Sequence, residues 1–243
     1  MRWRRERAAY LVLQQHGVLC VPRLLSAGET AAGGGFLTIE YVTKLEPPLS
    51  AYEIVSAAGS ALQEVHSRTI RPWTGHASLS DEQPVSCATR WERLVPKLRE
   101  TTGIPAPVLH RLRRWISKFS SSSGALVRSA LVHRDFRAAN TVVAEGGLRI
   151  IDWEMAVWSH PDADVARYLH TECHDARLVE GFLDAYGTRG TERGGEEHLA
   201  FFETIFLTEM LLYLATRSPI PAEEESYRRS LMDSLLELIG RFG

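Results

Sequence analysis

Cysteine, net charge and long apolar runs are all scarce in this chain of 243 residues. The three cysteines, Cys20, Cys87 and Cys173, lie far apart, which fits reduced thiols and not a disulfide framework. A formal net charge of −2 gives no general attraction for nucleic acid, so no nucleic-acid partner is expected. No apolar run reads as a membrane span. The arginine-rich start (Arg2, Arg4, Arg5, Arg7) precedes only Ala8–Leu13 before Gln14, Gln15 and His16 interrupt it, and no small-residue cleavage site follows. No membrane partner is expected, and the cytoplasm is the default location. Internal repeats are lacking. Lysine comes late: the first is Lys44.

What is present is the composition of an ordinary globular protein, 44% hydrophobic and 24% charged, long enough for one large domain or two small ones. Charge is uneven along it. Residues 90–118 hold eight Lys/Arg against Glu92 and Glu100, and residues 191–226 hold eight Glu against Arg193 and Arg217. Solvated helix faces are the ordinary reading of each run, though an acidic C-terminal part also suits a cationic substrate.

Periodicity predicts a helix over Met1–Gly17, strands at Arg23–Ala27 and Phe36–Val42, and a helix over Ala51–Ser67 capped by Ser50. Pro47-Pro48 marks a boundary between them. Residues 69–89 read as loop, followed by helices at Trp91–Glu100 and Pro107–Phe119. Later helices are expected from Pro161, over Asp175–Tyr186, over the apolar His198–Thr216, and over Ala222–Phe242. His170, Cys173 and His174 would share one helix face, but spacing supplies no fourth zinc ligand, so packing or surface histidines are the better reading.

The chemistry concentrates between Leu131 and Trp153, LVHRDFRAANTVVAEGGLRIIDW. Apolar runs Ala130–Val132 and Thr141–Ala144 flank a polar loop carrying His133, Asp135 and Asn140. Gly146 and Gly147 supply a tight turn, and Leu148–Ile151 returns as a strand ending at Asp152. This order brings Asp135, Asn140 and Asp152 to one edge of a small sheet. Asn140 and Asp152 offer hard oxygens suited to Mg2+, while Asp135, a loop residue with no expected packing duty, is placed to accept a hydroxyl proton.

The spacing His133-Arg134-Asp135 to Asn140, then Asp152, resembles the catalytic loop and metal aspartate of the protein-kinase-like superfamily. Ile151-Asp152-Trp153-Glu154 and Asp162-Ala163-Asp164-Val165-Ala166 make it most similar to the aminoglycoside phosphotransferase and choline kinase group. Arg134 departs from the pattern, because small-molecule kinases more often carry Gly there. The resemblance implies an α+β, protein-kinase-like fold: a truncated N-lobe and hinge over 1–46, then a mainly helical C-lobe with the catalytic hairpin over 47–243. It implies ATP and Mg2+ as cofactors and phosphoryl transfer to a hydroxyl of a small, often cationic molecule. Asp135 would be the base, Asn140 and Asp152 the metal ligands, and His133, Glu6 and Asp164 supporting residues. Backbone groups at Glu40, Tyr41 and Val42 would hold the adenine edge. His66, closing Leu62-Gln63-Glu64-Val65-His66, resembles a structural helix-end histidine. The Gly-rich turn and strand lysine that normally precede the helix are not in the sequence, so Glu6 has no lysine to hold. Weak activity of the isolated chain is therefore expected. The alternatives are a non-catalytic kinase-fold binding protein, or a kinase subunit acting on Ser/Thr of a peptide with a protein partner completing the ATP site.

Overall fold

The structure, a computed structural model, describes residues 2–44, 49–72, 79–82, 84–122, 128–187, 196–217 and 222–242. In chain order the elements are α1 (Arg2–Gln15), β1 (Leu24–Glu29), β2 (Gly35–Ile39), α2 (Ala51–Thr69), β3 (Arg71–Pro72), α3 (Pro84–Thr102) and α4 (Ala106–Ser122). There follow β4 (Arg128–Val132), β5 (Thr141–Ala144), β6 (Gly147–Ile150), β7 (Val157–Ser159), α5 (Asp162–Glu172), α6 (Ala176–Tyr186), α7 (Glu196–Ala215) and α8 (Ala222–Phe242). The architecture is the expected α+β one, with helices predominating over three small sheets among the described residues. Two compact units emerge, residues 1–81 with 128–193 and residues 82–127 with 194–243. The expected lobe boundary at Pro47-Pro48 lies outside the described residues.

The first unit carries the stretch from Leu131 to Trp153. Its α1 lies over the antiparallel ribbon of β1 and β2, where Leu24 opposes Ile39 and Glu29 opposes Gly35. A Cβ on Gly35 would sit inside the Trp3 ring, so only glycine admits that contact. Ser50 caps α2 through a reciprocal box: its Oγ accepts the Glu53 amide, and Glu53 accepts the Ser50 amide at 2.7 Å. Val55, Ala58, Ala61, Leu62 and Val65 bury one stripe of α2. Gly59 lets α6 approach, since a Cβ there would come within 2.5 Å of the Phe182 carbonyl oxygen.

The catalytic stretch is not one continuous sheet. Strand β4 pairs with β7 (Leu131 opposite Trp158) and with the two residues of β3, while β5 and β6 form a separate hairpin. Sequence periodicity missed β7, three residues buried on every side that show no alternation. Gly146 and Gly147 take φ of 81° and 121°, as the hairpin turn requires.

In the second unit α7 is the core, with Phe201, Phe202, Ile205, Leu207 and Leu211 buried. Trp91 of α3 donates its indole N–H to Thr208 at 2.9 Å, and Phe119 stacks on Phe201. Against the sequence expectation, α7 is long and apolar enough by composition to cross a membrane, with a mean hydropathy of 1.4. Most of it is instead covered by protein, as a core helix's apolar faces require. Glu209 on α7 pairs with Arg90 at 2.9 Å. Helix α3 starts at Pro84, within the stretch read as loop, because proline fits the first turn of a helix.

Candidate active site

Strand β4 delivers His133, Arg134 and Asp135 into a loop whose backbone is held from below by one buried carboxylate. Asp164, in the first turn of α5 and wholly buried, accepts the His133 amide at 2.6 Å and the Arg134 amide at 2.8 Å. Its second oxygen also faces His66 Nε2 at 3.3 Å, and His66 Nδ1 meets the Tyr186 hydroxyl at 2.7 Å. Burial favours the neutral acid, but the hydrogen bonds from His66 and from the His133 amide hold Asp164 below the usual carboxylate range. His66 is thus structural, as expected: it anchors the anchor.

Arg134 takes φ 69°, in the left-handed region. That conformation costs an L-residue roughly 1–2 kcal/mol, which explains in physical terms why glycine suits this position. The bond from its amide to Asp164 offsets part of the cost.

His133 is fully buried against Trp153, with ring centroids 4.6 Å apart. Its Nε2 lies 2.8 Å from the Ile151 carbonyl, and its Nδ1 accepts the Asp135 amide at 3.2 Å, a pattern that defines the neutral Nε2–H tautomer. Burial pushes its pKa down in spite of Asp164 nearby. His133 therefore ties the catalytic loop to the strand end that presents Asp152.

Asp135 is more heavily bonded than a bare loop base. Arg167 donates to its Oδ1 at 2.6 Å, Asn140 donates from Nδ2 to its Oδ2 at 3.0 Å, and the Arg137 Nε stands 3.3 Å from the same Oδ2. The expectation that Asp135 has no structural duty is corrected accordingly. Asn140 also donates to the Asp135 carbonyl at 2.8 Å, so its amide nitrogen faces the catalytic loop. Its Oδ1 receives no hydrogen bond among the described residues. The Asn140 carbonyl accepts the Ile151 amide at 3.0 Å, which sets Asn140 opposite the residue just before Asp152.

Asp152 is exposed and sits at φ 62° and ψ 61°, and its carboxylate has no ion-pair or hydrogen-bond partner among the described residues. Helix α1 approaches here. Burial first, then the charges of Asp152 and Glu154, push the Glu6 carboxyl up, while the Trp153 amide pulls the other way. Glu6 thus lies close enough to Asp152 for the two charges to act on each other. Of the arginines on α1, Arg2 pairs with Glu154 at 3.0 Å and Arg4 with Glu29.

The donor set tests the expected metal directly. An exposed carboxylate and an amide oxygen, each lacking a partner, are hard ligands suited to Mg2+, which takes few protein groups and completes its shell with water and phosphate. The described residues contain no cage of three or more His, Cys, Asp or Glu. Helix α5 ends at Glu172, so Cys173 and His174 lie beyond the helix that was to align them with His170.

At the expected adenine edge, Glu40 ends the ribbon by donating its amide to the Arg23 carbonyl at 2.8 Å, and its carboxylate accepts the Arg23 amide. Tyr41 is 88% exposed, and Tyr41–Thr43 has no regular structure. Sequence reasoning missed Arg137, Arg167 and Tyr186. Arg167 was findable, being three residues after Asp164 on the same helical face; Tyr186 was not, because its link to His66 spans 120 residues.

A family model described as "Phosphotransferase enzyme family" matches residues 2–199. No curated protein matches the chain by sequence. Among solved structures, a choline/ethanolamine kinase family protein from Mesorhizobium loti is similar at a TM-score of 0.66 and 18% identity, covering 98% of this chain and 79% of that one. Choline kinase LicA from Streptococcus pneumoniae gives 0.62 and 18%, over 100% and 81%. The GDP and kanamycin complex of the aminoglycoside phosphotransferase APH(2″)-IIIa gives 0.60 and 14%, over 98% and 82%.

Proposed function

We propose, on the premise that the chain belongs to the phosphotransferase enzyme family, that it moves the γ-phosphoryl group of Mg-ATP to a hydroxyl of a small molecule. The observation that carries this reading is the bond from Asn140 Nδ2 to Asp135 Oδ2, which leaves the Asn140 Oδ1 without a hydrogen bond among the described residues. One residue thereby orients the base and offers a metal ligand.

In the proposed reaction the acceptor hydroxyl gives its proton to Asp135 as its oxygen bonds to phosphorus. The bond from the γ-phosphorus to the bridging oxygen breaks, and ADP leaves. Mg2+, when bound, would neutralise the phosphate oxygens. Asn140 and Asp152 would hold it. Asp164 and His133 fix the loop, so that the positions are set before substrate arrives. Backbone groups from Glu40 to Val42 are proposed as the adenine edge; the solved neighbours include complexes with AMP and with GDP, so both ATP and GTP belong in the assay.

A second reading is favoured by Glu6, which faces carboxylates instead of a lysine. On that reading turnover needs a cation from outside the chain, supplied by a protein partner, and the chain alone is a weak kinase or a binding protein. The test is ADP release from the chain with Mg-ATP or Mg-GTP across a panel of hydroxyl acceptors. Asp135→Asn is expected to lose at least about a hundredfold, the scale of a general base. Turnover within a few-fold of wild type would remove Asp135 from the mechanism.

A further inference from the structure

We infer that the phosphoryl acceptor carries an anionic group, a carboxylate or a phosphate, taken up by Arg137 beside Asp135. This rests on the phosphotransferase reading and adds the class of acceptor to it. A cationic acceptor was suggested by the acidic run over residues 191–226, but the groups around Asp135 itself have the opposite sign. Arg167 and Arg137 both pair with that carboxylate, and Arg134 stands close enough for its charge to act on Arg167. Among the described residues, Asp164 and Glu172 are acidic groups at this corner. Asp164 is buried and already bonded to His66 and two amides, while Glu172 accepts the Ala138 amide at 3.0 Å.

The two arginines on Asp135 are unequal. Arg167 is four-fifths buried and donates at 2.6 Å, so it is a fixture of the loop. Arg137 is half exposed and 3.3 Å away, and an ion pair of that kind is weak and exchangeable. Exchange is also what the chemistry needs. Asp135 Oδ1 is taken by Arg167, and Oδ2 by Asn140 and Arg137. A hydroxyl can bond to Oδ2 most readily once Arg137 leaves it. A carboxylate or phosphate on the acceptor offers that guanidinium a bidentate partner better than the one it gives up. Binding the right acceptor thus frees the base. An ammonium group would meet like charge there and leave Arg137 in place.

The experiment uses four probes on one dihydroxypropyl frame: glycerate, glycerol 3-phosphate, glyceramide and 3-amino-1,2-propanediol. Thermal shifts with Mg-ADP and ADP release with Mg-ATP are recorded for wild type, Arg137→Gln, Arg137→Lys and Arg177→Gln. Arg177 is an exposed control arginine that stacks on Tyr52. The expected result is a shift with an anionic probe that the neutral and cationic probes do not give. Transfer to that anion should exceed the others by at least about tenfold, on the scale of one charge-assisted hydrogen bond. Arg137→Gln should raise KM for the anion about tenfold with a smaller change in kcat, Arg137→Lys should recover part of it, and Arg177→Gln should change nothing. Whether glycerate or glycerol 3-phosphate responds separates carboxylate from phosphate. Preference for the amide or ammonium probe, no anion-dependent shift or transfer, or an anion preference untouched in Arg137→Gln would each overturn the inference while leaving phosphoryl transfer standing. Anion binding lost in Arg137→Gln from a chain that neither binds nor cleaves Mg-nucleotide would keep the anion site and overturn the phosphotransferase reading instead.

Discussion

The two aspartates of the site live under opposite conditions. Asp135 is held by two guanidinium groups and an amide, in a loop whose backbone is tied to a buried carboxylate. Asp152 is exposed, backbone-strained and bare, with Glu6 and Glu154 close enough to raise the energy of the local negative charge. Two guanidinium groups balance Asp135, and no ion pair among the described residues balances Asp152. That difference in charge balance separates the Asp135 side, proposed to face the acceptor, from the Asp152 side, proposed to face the nucleotide, and each prediction below tests one side of that contrast.

The largest effect is expected under the acceptor side. Asp164→Ala removes the partner of two amides and of His66 together, leaving buried donors without an acceptor. The expected loss is about 3–5 kcal/mol of unfolding free energy, the range for breaking a buried charged network. Urea denaturation measures it, and a loss under about 1 kcal/mol would mean that the loop is held by something else.

The bare side should respond to metal. Mg-ATP is expected to stabilise the folded chain by about 2.7 kcal/mol at a hundredfold excess over Kd, and ATP with chelator by much less. Asp152→Asn should abolish the difference without lowering the stability of the free protein, because it removes a carboxylate that faces Glu6 and Glu154. An equal thermal shift with and without Mg2+ in wild type would contradict the assignment of Asn140 and Asp152.

How much of this contrast was legible in the sequence follows from the kind of contact involved. Local signals read well: Ser50 announced α2, Gly146-Gly147 announced the hairpin, and the bounds Ala222–Phe242 came out as found. Family spacing put Asp135, Asn140 and Asp152 in order, and the fold it implied is the one observed. Contacts made across long separations were not legible. The pairing of β4 with β7, the Tyr186–His66 bond and the seating of Arg167 on Asp135 depend on where helices pack, which periodicity does not report. Charge counts are a weaker guide for the same reason, since an acidic run in sequence says nothing of which residues surround Asp135.

A smaller effect concerns pH, and it sharpens the acceptor side. Burial holds the folded-state pKa of His133 below 6.5, so the unfolded chain binds a proton first as pH falls. Stability from this group is fully present above about pH 6.5 and is lost as pH falls toward the folded value, at up to about 1.4 kcal/mol per pH unit. Asp164, held below 3.8, adds its own loss only under that pH. Imidazole resonances followed by NMR should show His133 titrating below 6.5. A midpoint at or above 6.5 would contradict the buried, Nε2-protonated ring.

The smallest effect tests the strain that the acceptor side carries. Arg134 at φ 69° pays roughly 1–2 kcal/mol for a left-handed backbone. Glycine would relieve that strain but adds about 0.5–1 kcal/mol of chain entropy to the unfolded state. The two terms nearly cancel, so Arg134→Gly is expected to change stability by less than about 1 kcal/mol. Valine separates them. Its branched side chain keeps the strain and worsens it, without glycine's entropy term, so Arg134→Val should be more than about 1 kcal/mol less stable than Arg134→Gly. Urea midpoints of the two variants decide the matter. Equal stability would show that the Asp164 bond to this amide does not hold residue 134 in the left-handed region, and that the loop relaxes when its side chain changes.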